Sequence, residues 1–330
     1  MSAAPLTDWV PIRLYWIESG PMVDWCRLGD RRFREPFFEQ TIEACLRLPF
    51  NQLFRRQTPI QTLLDWHARQ PGVAPTGFIF HMSRCGSTLV SQMLAALPEN
   101  IVLSEAGPIN QALRAHGRDP RVIDDDRRAW LTAMIGALAQ RRRGDERRLF
   151  IKFDSWHILE LSLIRQAFPD VPWVFLYRNP VEVLVSQIRH RGAQMVPTML
   201  EPAAAGVDLA AALAMKPEEY CARFLANLCQ AALQHHAQSG MLVEYRDLPD
   251  AVCTSIAEFF HLPLSAVQIQ QMREAARFNA KTPQLFFEDD TVEKNRAATD
   301  LIREMTQRWL QPLYDRLEQA RQLSLASATR

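Results

Sequence analysis

From residue 77 onward the chain alternates short apolar runs with longer amphipathic stretches. Residues 77–81, 101–103, 149–153, 173–177 and 241–245 read as strands buried on both faces, the form taken by strands of a parallel sheet. Between them lies a helix carrying Leu89, Met93, Leu94 and Leu97, then helices over 121–143 and 158–168. Another opens at Pro180, a residue suited to a first helical turn, and a long one covers 218–238. The Ala-rich stretch 202–215 reads as a loop or weak helix, and from Thr299 the residues Ile302, Met305, Trp309, Leu313 and Leu317 recur at near-helical spacing. This alternation predicts an α/β protein with a parallel sheet flanked by helices.

The first 75 residues differ. They are rich in Trp, Arg and Phe and show helical patches rather than alternating strands. Phe37, Phe38, Ile42, Cys45 and Leu46 share one helical face, and Leu63, Leu64 and Trp66 begin a second. Pro59, Pro71, Gly72, Pro75 and Gly77 mark the exit. The expected division is a mainly helical N-terminal extension, 1–75, packed on a main domain, 76–330, with no internal repeat or low-complexity linker between them.

Composition narrows the class. With 38 Lys plus Arg against 37 Asp plus Glu, the net charge of +1 gives no global field for nucleic acid or an anionic membrane, so an anionic ligand must be met locally. Cys26, Cys45, Cys85, Cys221, Cys229 and Cys253 form no C-x-x-C pair and share no ligand spacing with histidine, which signals neither zinc nor a disulfide scaffold. No basic segment followed by an apolar run opens the chain, and no stretch reaches about 18 uninterrupted apolar residues. A soluble cytoplasmic protein is expected.

The chemistry is concentrated after the first main-domain strand, in His81-Met-Ser-Arg-Cys-Gly-Ser-Thr88. A turn with a glycine that opens a helix presents successive amides and a helix dipole to an anion, and two hydroxyls add donors. Phosphate is the expected guest. The stretch is not G-x-x-x-x-G-K-[ST], because Arg84 supplies the charge and Ser87 stands where the lysine would be, so an ordinary ATPase is disfavoured.

Arg84-Cys-Gly-Ser-Thr88 resembles the R-S-G-[ST]-T 5'-phosphosulfate loop of sulfotransferases that use 3'-phosphoadenosine 5'-phosphosulfate (PAPS), with the protein-tyrosine sulfotransferases and bacterial sulfotransferase-like proteins nearest in motif. It departs mainly at Cys85. Three further matches follow in order. Leu103-Ser-Glu-Ala-Gly-Pro108 places Glu105 at the end of the next strand, where the family's glutamate is the catalytic base; Phe150-Ile-Lys-Phe-Asp154 places Lys152 where a lysine steadies charge on the sulfuryl group or its leaving phosphate. A strand ending in Arg178, with Ser186 eight residues on, resembles the 3'-phosphate site. Val243-Glu-Tyr-Arg-Asp-Leu248 is a weaker match, in which Tyr245 is a nucleotide or core contact.

The resemblance covers roughly 77–320. It implies a P-loop-type fold and sulfuryl transfer from PAPS to a hydroxyl, with PAP as product and no metal. Glu105, Lys152 and Arg84 would be catalytic; Ser83, Arg84, Cys85, Gly86, Ser87, Thr88, Arg178, Ser186 and Tyr245 would bind nucleotide.

Each residue also has a plainer reading. Glu105 could cap a helix, Lys152 could bridge to Asp154 or Glu105, and Arg178 could be an exposed strand-end arginine. Lys294 and Arg296, in the stretch 286–296, are charged surface or a cover over the nucleotide. His81 reads as strand-end packing, and Cys85 as a thiol whose pKa the loop could lower, with oxidation sensitivity as the consequence. Arg141 to Arg143 reads as a solvated helix end rather than a nucleic-acid patch. Two other functions stay open: an ATP- and Mg²⁺-dependent P-loop kinase with Asp154 near the metal, and a nucleotide-binding interaction module without turnover. The class of hydroxyl acceptor and the oligomeric state are not written in the motifs.

Overall fold

The computed structural model describes residues 6–200, 205–237, 239–286 and 290–328. Strands β1 (Trp9–Ile17), β2 (Gly20–Arg27) and β3 (Arg56–Pro59) form an antiparallel sheet in the N-terminal extension. Five strands, β4 (Pro75–His81), β5 (Asn100–Ser104), β6 (Arg148–Lys152), β7 (Trp173–Tyr177) and β8 (Gly240–Glu244), form an all-parallel sheet in the order β5-β6-β4-β7-β8. Every residue of β5 and β7 is buried, because helices cover both faces. In the sheet's middle, Phe80 stacks on Phe153 with ring centroids 4.8 Å apart. The five main-domain strands fall where the apolar runs predict them, within two residues at each end.

The strand order fixes where a ligand can sit. The chain passes from β4 to β5 and β6 on one side of the sheet, then crosses to β7 and β8 on the other, so the carboxyl end of β4 is the switch point of the topology, where such sheets open a crevice. The loop into the Ser87–Ala95 helix begins there.

The extension is not only helical. It has helices Phe38–Leu46, Pro49–Leu53 and Ile60–Arg69, but the β1–β2 hairpin was not foreseen. Pro11 lies at a register shift between Pro11 and Arg13, which breaks the two-residue period, and apolar Ile12, Tyr15 and Ile17 stand on the less buried side. Leu14 N donates to Gln111 Oε1 at 2.7 Å, and Arg32 reaches the carbonyls of Ala95 and Leu97 at 3.1 and 2.7 Å, so the extension is pinned to the main domain by polar bonds as well as by packing.

Smaller differences are local. The element expected over 158–168 begins as a 3₁₀ turn, Ser155–Glu160, and becomes α-helical over Leu161–Ala167. Arg141 to Arg143 do not form a solvated helix end: the helix stops at Leu138, and Glu146, buried, accepts from the amides of Arg142, Arg143 and Gly144. In the 202–215 stretch, residues 202–204 lie outside the described residues and Leu209–Ala214 is helical.

Candidate active site

The motif residues gather at the carboxyl ends of the parallel strands. Met82 to Thr88 follow β4, Glu105 follows β5, Lys152 ends β6, Arg178 follows β7 and Tyr245 follows β8. They line one cavity of about 570 Å³, apart from Met82 and from Lys152, which is fully buried behind Glu105. That volume suits a ligand of nucleotide size.

The loop holds an unusual backbone. Ser83, Arg84 and Gly86 have φ of 74°, 54° and 82°, in the left-handed region. For the two non-glycine residues this conformation is costly, so neighbours must hold it. Ser83 N donates to His81 Nδ1 at 3.0 Å, and Gln187 Nε2 donates to Ser83 Oγ at 2.9 Å. Only glycine fits at 86, since a Cβ there would lie 2.7 Å from Leu248 and 2.9 Å from the Tyr245 ring. Arg84 donates to the His190 carbonyl at 2.6 Å, which ties the loop to the segment after the Pro180–Arg189 helix.

Cys85 does not behave as the loop suggests. Its thiol is buried, donates to the Leu176 carbonyl at 3.1 Å, and is pushed up to about 12 by burial, although amides of Met82 and Ser87 pull the other way. Desolvation outweighs the helix terminus, which leaves an inert thiol in place of the expected oxidation-sensitive one.

At one end of the cavity, Lys152 pairs with Glu105 Oε1. Glu105 also has φ of 53°, held by its amide donating to the Lys152 carbonyl at 2.8 Å. Burial alone would raise the Glu105 carboxyl, but the Lys152 charge and His81 outweigh it and hold it well below the usual range. His81 Nδ1 accepts from the Ser83 amide, so the proton of this neutral, buried ring is on Nε2, which faces Phe153 O at 3.1 Å and Glu105 Oε1 at 3.4 Å. His81 therefore links the anion loop to the carboxylate, a role that sequence reading assigned to packing. Asp154, two residues past Lys152, is pushed up to about 8 by burial and then by the Glu105 charge.

At the other end, Arg178 is buried rather than exposed. Its Nε donates to Glu182 at 2.6 Å, its Nη2 reaches Asp290 at 3.0 Å and Thr291 at 3.3 Å, and its guanidinium lies 3.9 Å from the centre of the Tyr245 ring. Asp290 also pairs with Lys294 at 2.7 Å. A carboxylate thus sits between two cations. Ser186 lines the same end, its hydroxyl donating to the Glu182 carbonyl at 2.8 Å. Lys294 joins this end, whereas Arg296 is not in the cavity lining; residues 287–289 of that stretch lie outside the described residues. Phe37, Lys281 and Asp290 are lining residues that no motif marked. Among the described residues no group of three or more His, Cys, Asp or Glu is placed to hold a metal ion.

The parallel sheet places the loop 82–86 and the start of the following helix at its switch point. Residues 75–266 match the model of the sulfotransferase family, well over half of the chain, and the protein belongs to that family. No curated protein matches it. Among solved structures it is similar to sulfotransferase STF1 from Mycobacterium tuberculosis H37Rv, with 16% identity over 76% of this chain and 81% of that one and a TM-score of 0.42. STF9 from Mycobacterium avium gives 12% identity, 75% and 80% coverage and 0.44; mouse sulfotransferase SULT7A1, complexed with PAP, gives 11%, 79% and 92%, and 0.37.

Proposed function

We propose that this sulfotransferase moves a sulfuryl group from PAPS to an acceptor hydroxyl with Glu105 as general base, and releases PAP. The observation that supports this most is the division of one cavity into a carboxylate and lysine end, Glu105 with Lys152, and a second cationic end, Arg178 with Lys294, with the loop 83–88 between them. The residues fit a bisphosphorylated donor: Asp290 already lies as an anion between Arg178 and Lys294, where a 3'-phosphate would find the same two charges.

In this reading the bound donor supplies the transferable sulfuryl group. Amides and hydroxyls of Ser83, Cys85, Gly86, Ser87 and Thr88 hold the 5' end with Arg84, and Arg178, Ser186 and Tyr245 hold the 3' end. Lys152 exchanges part of its interaction with Glu105 for negative charge arriving in the loop. The Glu105 carboxylate, less neutralised, becomes basic enough to take the acceptor proton. His81 keeps that carboxylate aimed into the cavity. Lys152 and Arg84 then steady charge on the departing phosphate.

We place the acceptor beside Glu105, against Phe37, whose ring centre is 5.0 Å from Lys152 Nζ. The extension 1–75 would then form part of the acceptor wall on the main domain 76–330. The test is PAP release from PAPS with pooled phenol, sugar and steroid alcohols. Turnover by the native chain, abolished in Glu105→Gln with nucleotide binding intact, supports the reading; unchanged turnover in Glu105→Gln removes the base.

A further inference from the structure

The segment from Arg47 to Arg56 inverts the usual order of a surface helix. Asn51, the polar residue at its centre, is 2% exposed, whereas Leu48, Phe50, Leu53 and Phe54 are 48%, 38%, 77% and 56% exposed. Asn51 holds the turn from inside: its Oδ1 accepts from the Arg27 amide, and its Nδ2 donates to the carbonyls of Arg27 and Cys45, all at 2.9 Å. The outward display of apolar side chains is therefore fixed by a buried polar anchor. Four large apolar residues exposed within seven positions form the kind of patch that marks an interaction surface.

The patch has a cationic rim. Arg47 and Arg55 are exposed on either side of it, Arg27 lies 4.7 Å over the Phe50 ring, and Arg56 lies 5.6 Å over Trp9. Trp9, Phe50 and Phe54 form one aromatic run, with centroids 5.9 and 4.9 Å apart. Asp8 pairs with Arg27 at 3.6 Å, and Glu43 is exposed one helical turn before Arg47, so the four arginines outnumber these two carboxylates. This local excess is hidden by the net charge of +1.

We infer that residues 47–56, with Trp9 and Arg27, are a wedge that docks the protein on an anionic lipid surface. Aliphatic and aromatic tips enter the headgroup boundary while arginines meet acidic headgroups, and hydrocarbon under anionic headgroups satisfies both without a shaped counterpart. Leu48 and Leu53 have no use on a nucleic acid, which offers phosphates and ring faces. No helix among the described residues is long and apolar enough to cross a membrane, so the contact is interfacial. The docked face lies on the same extension that carries Phe37 into the active-site cavity, at the opposite end of the Phe38–Leu46 helix.

Co-sedimentation of the full chain with phosphatidylserine–phosphatidylcholine vesicles, and with phosphatidylcholine alone, tests this. Binding is expected to be at least about tenfold stronger on the anionic vesicles and to weaken with salt. Leu53→Asp with Phe54→Ser abolishes it with an unchanged melting temperature, and Arg47→Ala with Arg55→Ala lowers it about tenfold. No binding, equal binding to neutral vesicles, or retention in Leu53→Asp with Phe54→Ser overturns the inference. So does light scattering that shows a dimer of the native chain dissociated by that double substitution, because the patch would then be covered by a second copy.

Discussion

Lys152, without exposed surface at the end of β6, reaches the carboxylate of Glu105, which follows the neighbouring strand β5. The pair sits on adjacent parallel strands in register, Ser104 opposite Lys152, so the sheet itself sets the distance between the proposed base and its counter-charge. Removing Glu105 alone would leave the Lys152 charge uncompensated with no surface to water, whereas the Glu105 carboxylate keeps access to the cavity.

Glu105→Gln is therefore expected to do two things. Turnover falls by about 10² to 10⁴, the usual range for a lost general base. Stability falls by about 3–5 kcal/mol, because Lys152 is left buried without its partner. Adding Lys152→Met to Glu105→Gln restores most of the melting temperature but none of the turnover. Calorimetry with a PAP-release assay separates the two effects.

Asp154→Asn gives a pH signature. The folded carboxyl is pushed up to about 8 from 3.8, so the native state keeps a proton that the unfolded chain releases between those values. Stability is then fully present below the unfolded value and declines as pH rises toward the folded one. The asparagine variant, neutral throughout, melts higher than the native protein near pH 8. The advantage shrinks toward nothing near pH 4, which a pair of melting curves reads directly.

His157 works in the opposite direction. Buried, it is lowered to about 3 from 6.5, so the unfolded chain takes up a proton first and stability falls as pH drops below 6.5. His157→Gln flattens the acid limb of the melting temperature against pH between those values.

Gly86→Ala places a side chain where φ is 82° and Leu248 and Tyr245 stand in the way. The expected cost is about 1–3 kcal/mol, and because Tyr245 must shift under Arg178, nucleotide affinity falls as well. A thermal melt together with a PAP titration checks both.

The parallel sheet is legible because its strands read as short, mostly apolar runs, interrupted by polar residues only at or near their ends. The residues that the fold gathers around the cavity are legible where they are local in sequence: the loop 84–88, and Glu105, Lys152 and Arg178 at strand ends. What hid was long-range. Asp290 reaches Arg178 across 112 positions, and His81 reads as an ordinary strand-end residue until the fold brings Glu105 and Ser83 to its two nitrogens. Cys85 departs from its expected reactivity because the loop's amides are visible in sequence, whereas its bond to the Leu176 carbonyl and its full burial are not. In the hairpin, the irregular step at Pro11 masked the alternation.

The central claim is a donor site for a 3',5'-bisphosphorylated adenosine, and a calorimetric titration with PAP in the presence of EDTA tests it most directly. Metal-independent binding is expected, weakened at least about tenfold in Arg178→Ala through loss of a charge-assisted contact, and strengthened in Asp290→Asn, where the competing carboxylate is neutralised. Binding of ATP only with Mg²⁺, and none of PAP, would contradict it.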